Sequence, residues 1–336
     1  MRLGGPARYV LEIERPEDIP DAYGFAANYQ LPIFVLGYGA NTIGHDEGFA
    51  GVIVINRMKG IFSEPAGDNV RLRIMGGEVW DDVVAYACER GLTGIEGLSK
   101  IPGLAGAAPV QNIGAYGQEI SDTLESIDVY DPAQRTFRTI ERSELDFGYR
   151  KSILNTSARG RYFVVAITLV LHKGEMPRPF YRSIEKYASD HGITDFSPAS
   201  VRTIVSAIRA AKLPDPLVQA SAGSFFKNIF VDEPTAEACE AKGYPVHRIP
   251  SGGKLNSGWF IEHAGLSGQL LHGMRVSPTA SLVLINESAT SYRDLAAARD
   301  EIISKVYDKY GFWLEQEPVE IPAPLPPATP APGARQ

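Results

Sequence analysis

Residues 97–117 read Gly-Leu-Ser-Lys-Ile-Pro-Gly-Leu-Ala-Gly-Ala-Ala-Pro-Val-Gln-Asn-Ile-Gly-Ala-Tyr-Gly, and no other stretch restricts the fold as much. Small side chains dominate, and Lys100 carries the only charge. A flexible linker this rich in glycine would also be rich in Ser and poor in Ile, Leu and Val. The apolar residues argue instead for a buried loop packed closely around something flat. The amides of Gln111 and Asn112 can hydrogen-bond the edge of a heterocycle. A dinucleotide with a fused ring fits such a groove better than a mononucleotide does.

Two further segments carry glycine where chemistry is plausible. Residues 36–42, Leu-Gly-Tyr-Gly-Ala-Asn-Thr, follow the apolar run Ile-Phe-Val-Leu at 33–36 and read as a strand feeding a Gly-x-Gly turn. The bare N–H groups of such a turn can cradle a pyrophosphate. It is not a Rossmann fingerprint, because the third glycine is missing and residues 43–51 read as loop; the plain alternative is a hairpin turn. Residues 221–228, Ser-Ala-Gly-Ser-Phe-Phe-Lys-Asn, place the hydroxyl of Ser224 after Gly223, which can present it on a tight turn. The plain alternative here is a glycine turn ahead of a buried Phe-Phe strand. A hydrolase nucleophile is disfavoured, since no Gly-x-Ser-x-Gly elbow surrounds Ser224.

Composition narrows the class. At 336 residues the chain exceeds what one core usually organises, so two or three domains are expected. A net charge of −7 argues against general nucleic-acid binding. Cys88 and Cys239 are the only cysteines and fit neither a disulfide framework nor a metal spacing, so each reads as a small buried residue in a reducing compartment. The six histidines are scattered, which speaks against a protein-held metal. No signal peptide opens the sequence, and no apolar run approaches the ~20 residues of a membrane span. The Pro/Ala-rich stretch 322–336 is expected to be an extended, disordered appendage.

The elements alternate irregularly. Strands are expected at 9–13, 51–56, 124–130 and 161–171. Helices are expected at 15–30, 79–90, 200–211 and 291–310, the last capped by Ser291 and stopped by Gly311. The prolines of Lys-Leu-Pro-Asp-Pro at 212–216 mark a boundary. Without regular βα alternation the class is α+β.

These blocks, with Phe-Gly-Tyr-Arg-Lys-Ser at 147–152, Lys-Leu-Asn-Ser-Gly-Trp-Phe-Ile at 254–261 and Trp-Leu-Glu-Gln-Glu at 313–317, occur in one order over about residues 3–321. In that order the chain resembles the UDP-N-acetylenolpyruvoylglucosamine reductase (UDP-N-acetylmuramate dehydrogenase) family of bacterial peptidoglycan synthesis. The resemblance implies two α+β subdomains at 1–58 and 59–211 that hold FAD, with a substrate-covering loop at 173–199. It further implies a substrate domain at 212–308 and a segment at 309–321 that returns acidic residues to the site. FAD contacts are then expected from Gly37, Tyr38, Gly39, Ala40, Asn41 and Thr42. In the second loop they are expected from Ser99, Pro102, Gly103, Gly106, Ala107, Gln111, Asn112, Gly114, Ala115 and Gly117.

The implied chemistry carries hydride from NADPH to FAD to the vinyl ether of UDP-N-acetylglucosamine enolpyruvate, giving the lactyl ether. Arg150 matches the guanidinium that stabilises the enolate-like carboxylate, and Ser224 matches the general acid. The acidic partner matches Glu317 on direct alignment, or Glu315 if Gln316-Glu-Pro318 displaces the family's Leu-Glu-Pro-Glu. Tyr181 is taken as the covering tyrosine, with Tyr187 nearby, and Lys212 and Asn228 as substrate contacts. Ala40 and Ser267 depart from a common serine and a common basic residue, which weakens two phosphate contacts. The expected enzyme is a cytoplasmic monomer without nucleic-acid or membrane partners. An FAD-dependent alcohol or sugar oxidase of a related fold is the alternative, and a silent nucleotide-sugar binder would lack Arg150, Ser224 or the terminal glutamate.

Overall fold

The computed structural model describes residues 1–215 and 218–321. Pro216 of the expected boundary and the whole of the expected 322–336 tail lie outside the described residues. The chain divides into two compact units: a larger one of Ala7–Ala40 and Ala50–Lys212, and a smaller one of Met1–Pro6, Asn41–Phe49 and the residues from Leu213 on. Residues 41–49 thus cluster with the C-terminal part of the chain rather than with their sequence neighbours. Both units mix helices with largely antiparallel sheet, an α+β architecture.

The larger unit is built on a six-stranded sheet whose main path runs Thr136–Glu141, Leu124–Asp131, Phe163–Lys173, Asn69–Met75 and Ile61–Ala66, all antiparallel. The apolar run of Phe163–Lys173 fits its central place, where both faces are covered. Val164, Ile167, Leu169 and Leu171 face a core shared with the helix Trp80–Glu89 and the 97–117 loop. Phe163, Val165 and Ala166 join a second core with Ile19, Ala22 and Ala26 of the helix Asp18–Asn28. That helix accompanies a three-stranded sheet of Ala7–Ile13, Phe49–Asn56 and Ile33–Leu36. A register shift between Asp128 and Val129 breaks the strict alternation, leaving Val165 and Ala166 on one side.

Residues 173–199 carry structure of their own. The helix Arg182–Asp190 buries Ile184 and Ala188, spaced four apart, against Val201, Ile204, Val205 and Ile208 of the helix Pro198–Lys212. Phe180 stacks on Phe196 at 4.2 Å and closes this small core.

The smaller unit contains two antiparallel sheets, one of Ala220–Ser224, Val283–Asn286, Met274–Val276 and Leu270–Leu271, the other of Ile229–Val231, Gly252–Leu255 and Val246–Ile249. Its core gathers Phe225, Phe226, Phe260 and Leu314 around Leu295, Ile302 and Val306 of the helix Tyr292–Tyr310. Ser291 and Asp294 cap that helix reciprocally, and Gly311 ends it at φ 76°.

The Gly-x-Gly turn is not a hairpin. Ile33–Leu36 pairs in parallel with Phe49–Asn56, whereas Thr42–Gly44 pairs in parallel with Val319–Ile321. Hairpin strands must be antiparallel neighbours, so the plain alternative for residues 37–41 is excluded.

Candidate active site

In the larger unit the two glycine turns meet. A methyl built on Gly37 would lie 3.3 Å from the Ala107 Cβ, whereas one at Gly39 or Gly103 would have no atom within 4 Å. Here the backbone carries few side chains, Gly39 and Gly103 face open space, and half-buried Ile101, Val110, Ile113 and Ala115 pack behind against the core. Gly106 is required for a different reason: its N–H bonds the Gly76 carbonyl at 2.9 Å, and any Cβ would meet the Gly76 backbone at 3.1 Å. Pro102 and Ala107 are exposed, and Tyr38 is 58% exposed.

Buried polar anchors hold the loop. Trp80 Nε1 donates to the Leu98 carbonyl at 3.1 Å. The wholly buried Glu96 accepts from Thr93 Oγ1 and the Gly94 N–H, each at 2.6 Å. Ser99 spends its hydroxyl on the Glu96 carbonyl, also at 2.6 Å, so its side chain shapes the loop. The Gly97 N–H meets Gln118 Oε1 at 2.6 Å, tying the start of the loop to the Gly114–Ala115/Gln118–Glu119 hairpin. Tyr116 and Gly117 form the hairpin's corner at φ 50° and 85°.

Asn112 uses both amide hydrogens internally, on Glu119 Oε2 at 2.8 Å and on the Gly148 carbonyl at 3.1 Å, and its Oδ1 accepts from the Ser121 N–H at 3.2 Å. Its side chain therefore fixes the loop rather than offering an amide to a ring edge. Through Gly148 it also holds the turn that bears Arg150. Gly148 and Lys151 exchange backbone bonds of 3.0 and 3.1 Å, leaving Tyr149 and Arg150 at the corner. Arg150 sits at φ 52°, its carbonyl held by Asn155 Nδ2 at 2.9 Å and its guanidinium reaching the Gly114 carbonyl at 3.3 Å. Ser152 Oγ adds a bond to the Val110 carbonyl at 2.7 Å. The structure thus brings Arg150, Asn112, Gly114 and Glu119 into one cluster. Glu119 and Asn155 escaped the sequence reading because nothing local marks them.

Tyr181 immediately precedes the helix Arg182–Asp190, is 52% exposed, and meets Tyr116 edge-on at 5.8 Å beside Gly117. Tyr187 instead stacks on His191 at 4.0 Å, at the far end of the same helix. Tyr181 is therefore the tyrosine beside the glycine loop. Burial raises the Tyr116 hydroxyl and lowers the Arg209 guanidinium to which it bonds. Lys212 ends the helix Pro198–Lys212.

In the smaller unit Gly223 makes a bulge rather than a turn. Ser221 pairs with Ile285 and Ser224 with Val283, so Ala222 and Gly223 together oppose Leu284. Gly223 lies at φ 67°, the left-handed geometry this bulge requires. The bulge changes the direction of the strand just before Ser224, which is half-buried, while the buried rings of Phe225 and Phe226 anchor the chain on its far side. Asn228 Oδ1 accepts from the Ser257 N–H at 3.3 Å.

The segment 315–317 pairs with this strand end. The Lys227 N–H meets the Glu315 carbonyl and the Glu317 N–H meets the Phe225 carbonyl, both at 2.9 Å. Glu317 is therefore bonded to the residue next to Ser224. Glu315 is 70% exposed and paired with Lys227 at 2.5 Å. Asn41 and Thr42 also belong to this unit, where the Asn41 carbonyl accepts from the Val319 N–H at 3.0 Å.

A model of an FAD binding domain matches residues 7–139, and one of the C-terminal domain of UDP-N-acetylenolpyruvoylglucosamine reductase matches residues 215–321. The UDP-N-acetylenolpyruvoylglucosamine reductase of Aliivibrio fischeri is 35% identical over 313 residues, 93% of this chain and 88% of that protein. That of Alcanivorax borkumensis is 36% identical over 326 residues, 95% of this chain and 93% of that protein. The crystal structure of the Thermus caldophilus protein of that name shares the fold, with a TM-score of 0.64 over 95% of this chain and 93% of that one at 23% identity. The chain belongs to the UDP-N-acetylenolpyruvoylglucosamine reductase family and is an FAD-containing oxidoreductase.

Proposed function

We propose that this protein reduces UDP-N-acetylglucosamine enolpyruvate to UDP-N-acetylmuramate with NADPH, using Arg150, Ser224 and Glu317. The backbone bond from the Glu317 N–H to the Phe225 carbonyl supports the residue assignment, because it holds Glu317 to the residue that follows Ser224 and the bulge at Ala222 and Gly223. The residues fit FAD: the turn at Gly37 and the loop at Ala107 join in one wall of bare backbone that a larger side chain at Gly37 would obstruct. Bound FAD supplies hydride relay, a two-electron chemistry that no side chain provides.

The chain's own groups do the rest. Hydride delivered to the terminal vinyl carbon forms the third C–H bond of a methyl group with its own electron pair, and the π pair of the former double bond shifts onto the adjacent carbon and toward the substrate carboxylate. Arg150, locked at its corner, stabilises that charge with a preorganised guanidinium. The Ser224 hydroxyl gives its proton to the adjacent carbon, completing the lactyl ether; an alcohol is a weak acid, but the carbanion-like centre is strongly basic. Glu317 orients the groups around that proton transfer. Gly37, Gly39 and Gly103 receive the cofactor, Tyr181 covers the site beside Gly117, and Lys212 and Asn228 hold the nucleotide-sugar.

We further read the enzyme as a cytoplasmic monomer. Among the described residues no helix is long and apolar enough to cross a membrane and no cluster could hold a metal ion. Both cysteines are buried and free, and burial pushes the Cys88 thiol up to about 12.

Ser224→Ala tests the assignment. Anaerobic bleaching by NADPH should stay near normal, while reoxidation by the enolpyruvyl substrate slows by about 10²–10⁴. Equal slowing of both half-reactions would make Ser224 a binding or structural residue.

A further inference from the structure

The segment that bears Glu317 is braced from behind by a polar cluster that takes no part in the proposed proton and hydride transfers. Gln316 opposes Phe226 in an isolated antiparallel bridge. Its side-chain amide donates to the Pro318 carbonyl at 2.9 Å and to Glu320 Oε1 at 3.1 Å, and its Oε1 accepts from Arg299 Nη1 at 3.1 Å. Arg299 Nη1 also reaches Glu320 Oε1 at 3.1 Å, and His45 Nε2 lies 2.9 Å from Glu320 Oε2. The side chains of Glu320 and Arg299 are only 9% and 20% exposed, so these bonds form largely out of water, where each is worth more than at the surface. Tyr292 stacks on His45 at 3.8 Å, and Asp46 accepts from the Tyr292 N–H at 2.8 Å, fixing the start of the helix that carries Arg299.

We propose that Gln316 is a positioning residue for substrate reduction, setting the location of the Glu317 carboxylate through Glu320 and Arg299. This rests on the proposed role of Glu317. Two backbone bonds fix the strand-like path of 315–317, but they lie on residues 315 and 317, on the side facing Phe225 and Lys227. Rotation of the segment about that line is opposed by the Gln316 side chain. Two of its three bonds tie the middle of the segment to a helix, through Arg299, and to the strand Val319–Ile321, through Glu320, which is in turn paired with Ile43; the third, to the Pro318 carbonyl, holds the turn into that strand.

The bridge pattern supplies a control. In this bridge the donors are the N–H groups of residues 227 and 317, so that of Gln316 is not used by it. A proline at 316 would lose no bond of the bridge and would fix φ near −65° without any side-chain contact. Leucine at 316 keeps the volume, loses all three side-chain bonds and restricts φ no further. In either variant Glu320 keeps Arg299 and His45, so the cluster is not left with an unpaired charge.

Half-reaction kinetics of the FAD-loaded full chain test this with Gln316→Leu, Gln316→Pro and Glu317→Gln. Gln316→Leu should reduce normally with NADPH, while substrate-driven reoxidation slows about 10- to 100-fold, since a displacement near 1 Å at a reacting group costs up to about 10². Most of the loss should appear in kcat rather than KM, and amide exchange at Glu317 should quicken. Gln316→Pro should recover reoxidation to within about threefold of wild type. Normal reoxidation in Gln316→Leu, equal slowing of both half-reactions, or a proline variant as slow as the leucine variant would overturn the proposal. If Glu317→Gln reoxidises normally, the assignment of Glu317 fails and the proposal falls with it. If Glu317→Gln is slow and Gln316→Leu is normal, only the positioning role fails.

Discussion

Replacing Asn112 probes how the glycine loop and the Arg150 turn are joined. Asn112 is 1% exposed and lies at φ 44°, a region that Asn tolerates and Ala does not favour. Asn112→Ala removes three hydrogen bonds. The Gly148 carbonyl keeps its bond from the Lys151 N–H and loses only a second donor, a cost of about 1 kcal/mol. The buried Ser121 N–H loses the acceptor it has in Asn112, which costs about 1–3 kcal/mol. Left-handed geometry adds about 1 kcal/mol for Ala. The sum is about 3–5 kcal/mol, which is large against a typical domain stability of about 5–15 kcal/mol. Asn112→Gly loses the same bonds without the conformational strain and should be about 1 kcal/mol less damaging. Urea unfolding gives the stabilities, and flavin absorbance per protein gives the cofactor retained. Both variants should purify with reduced FAD, alanine lower than glycine. Full FAD content with stability within about 0.5 kcal/mol of wild type in Asn112→Ala, well inside the range of an ordinary surface substitution, would refute the reasoning.

Three other outcomes are expected from the geometry. Arg150→Lys keeps a charge but loses the planar fork, so kcat should fall by two to three decades, about 3–4 kcal/mol, with a smaller change in KM; unchanged turnover in steady-state assays would remove Arg150 from the reacting site. Gly223→Ala adds a methyl with no atom within 4 Å, so its cost is backbone strain alone, about 1–2 kcal/mol in thermal unfolding. If the bulge flattens to relieve that strain, reoxidation by substrate slows while reduction by NADPH does not. Asp81 is clasped by Arg202 at 2.6 and 3.0 Å and by Lys100 at 2.9 Å; burial alone would raise its carboxyl, but these cations hold it well below the usual range. A lowered folded pKa gives stability that is present above the unfolded value near about 4 and is lost as pH falls through the folded one. Asp81→Asn should therefore be less stable at neutral pH and show a flatter acid limb in denaturation; parallel limbs would contradict the clasp.

The sequence spoke clearly where one local interaction decides the structure. The Ser291 cap and the Gly311 stop are visible as residue types at fixed offsets, and the helix runs Tyr292–Tyr310 between them. The apolar run at 161–171 reads as a strand, and the strand Phe163–Lys173 follows it, covered on both faces as such a run allows. Residues 97–117 declared a close-packed loop by composition, but not how its members divide their work. Ser99 and Asn112 spend their side chains inside the protein, and Gly106 serves a contact with Gly76, because these bonds join residues far apart in the chain. The bulge at Gly223 was legible only as a turn, since a bulge is defined by the opposing strand. Glu119, Arg299 and Glu320 gave no signal, because a buried network is a property of the packed chain and not of spacing.

The parallel pairing of Thr42–Gly44 with Val319–Ile321 joins segments more than two hundred residues apart. During synthesis the larger unit has all of its strands once Lys212 has emerged, so its sheets can close while translation continues. The smaller unit cannot do so. Ile43 of its core waits for a partner strand that is among the last parts of the described chain to be made. Assembly of the unit that carries Ser224 and Glu317 is therefore set by late, long-range closure, the slow and aggregation-exposed kind. A chain stopped before residue 319 would display a finished larger unit and an early strand with no neighbour. Such a product should gather chaperones and proteases on the smaller unit while the larger one resists them.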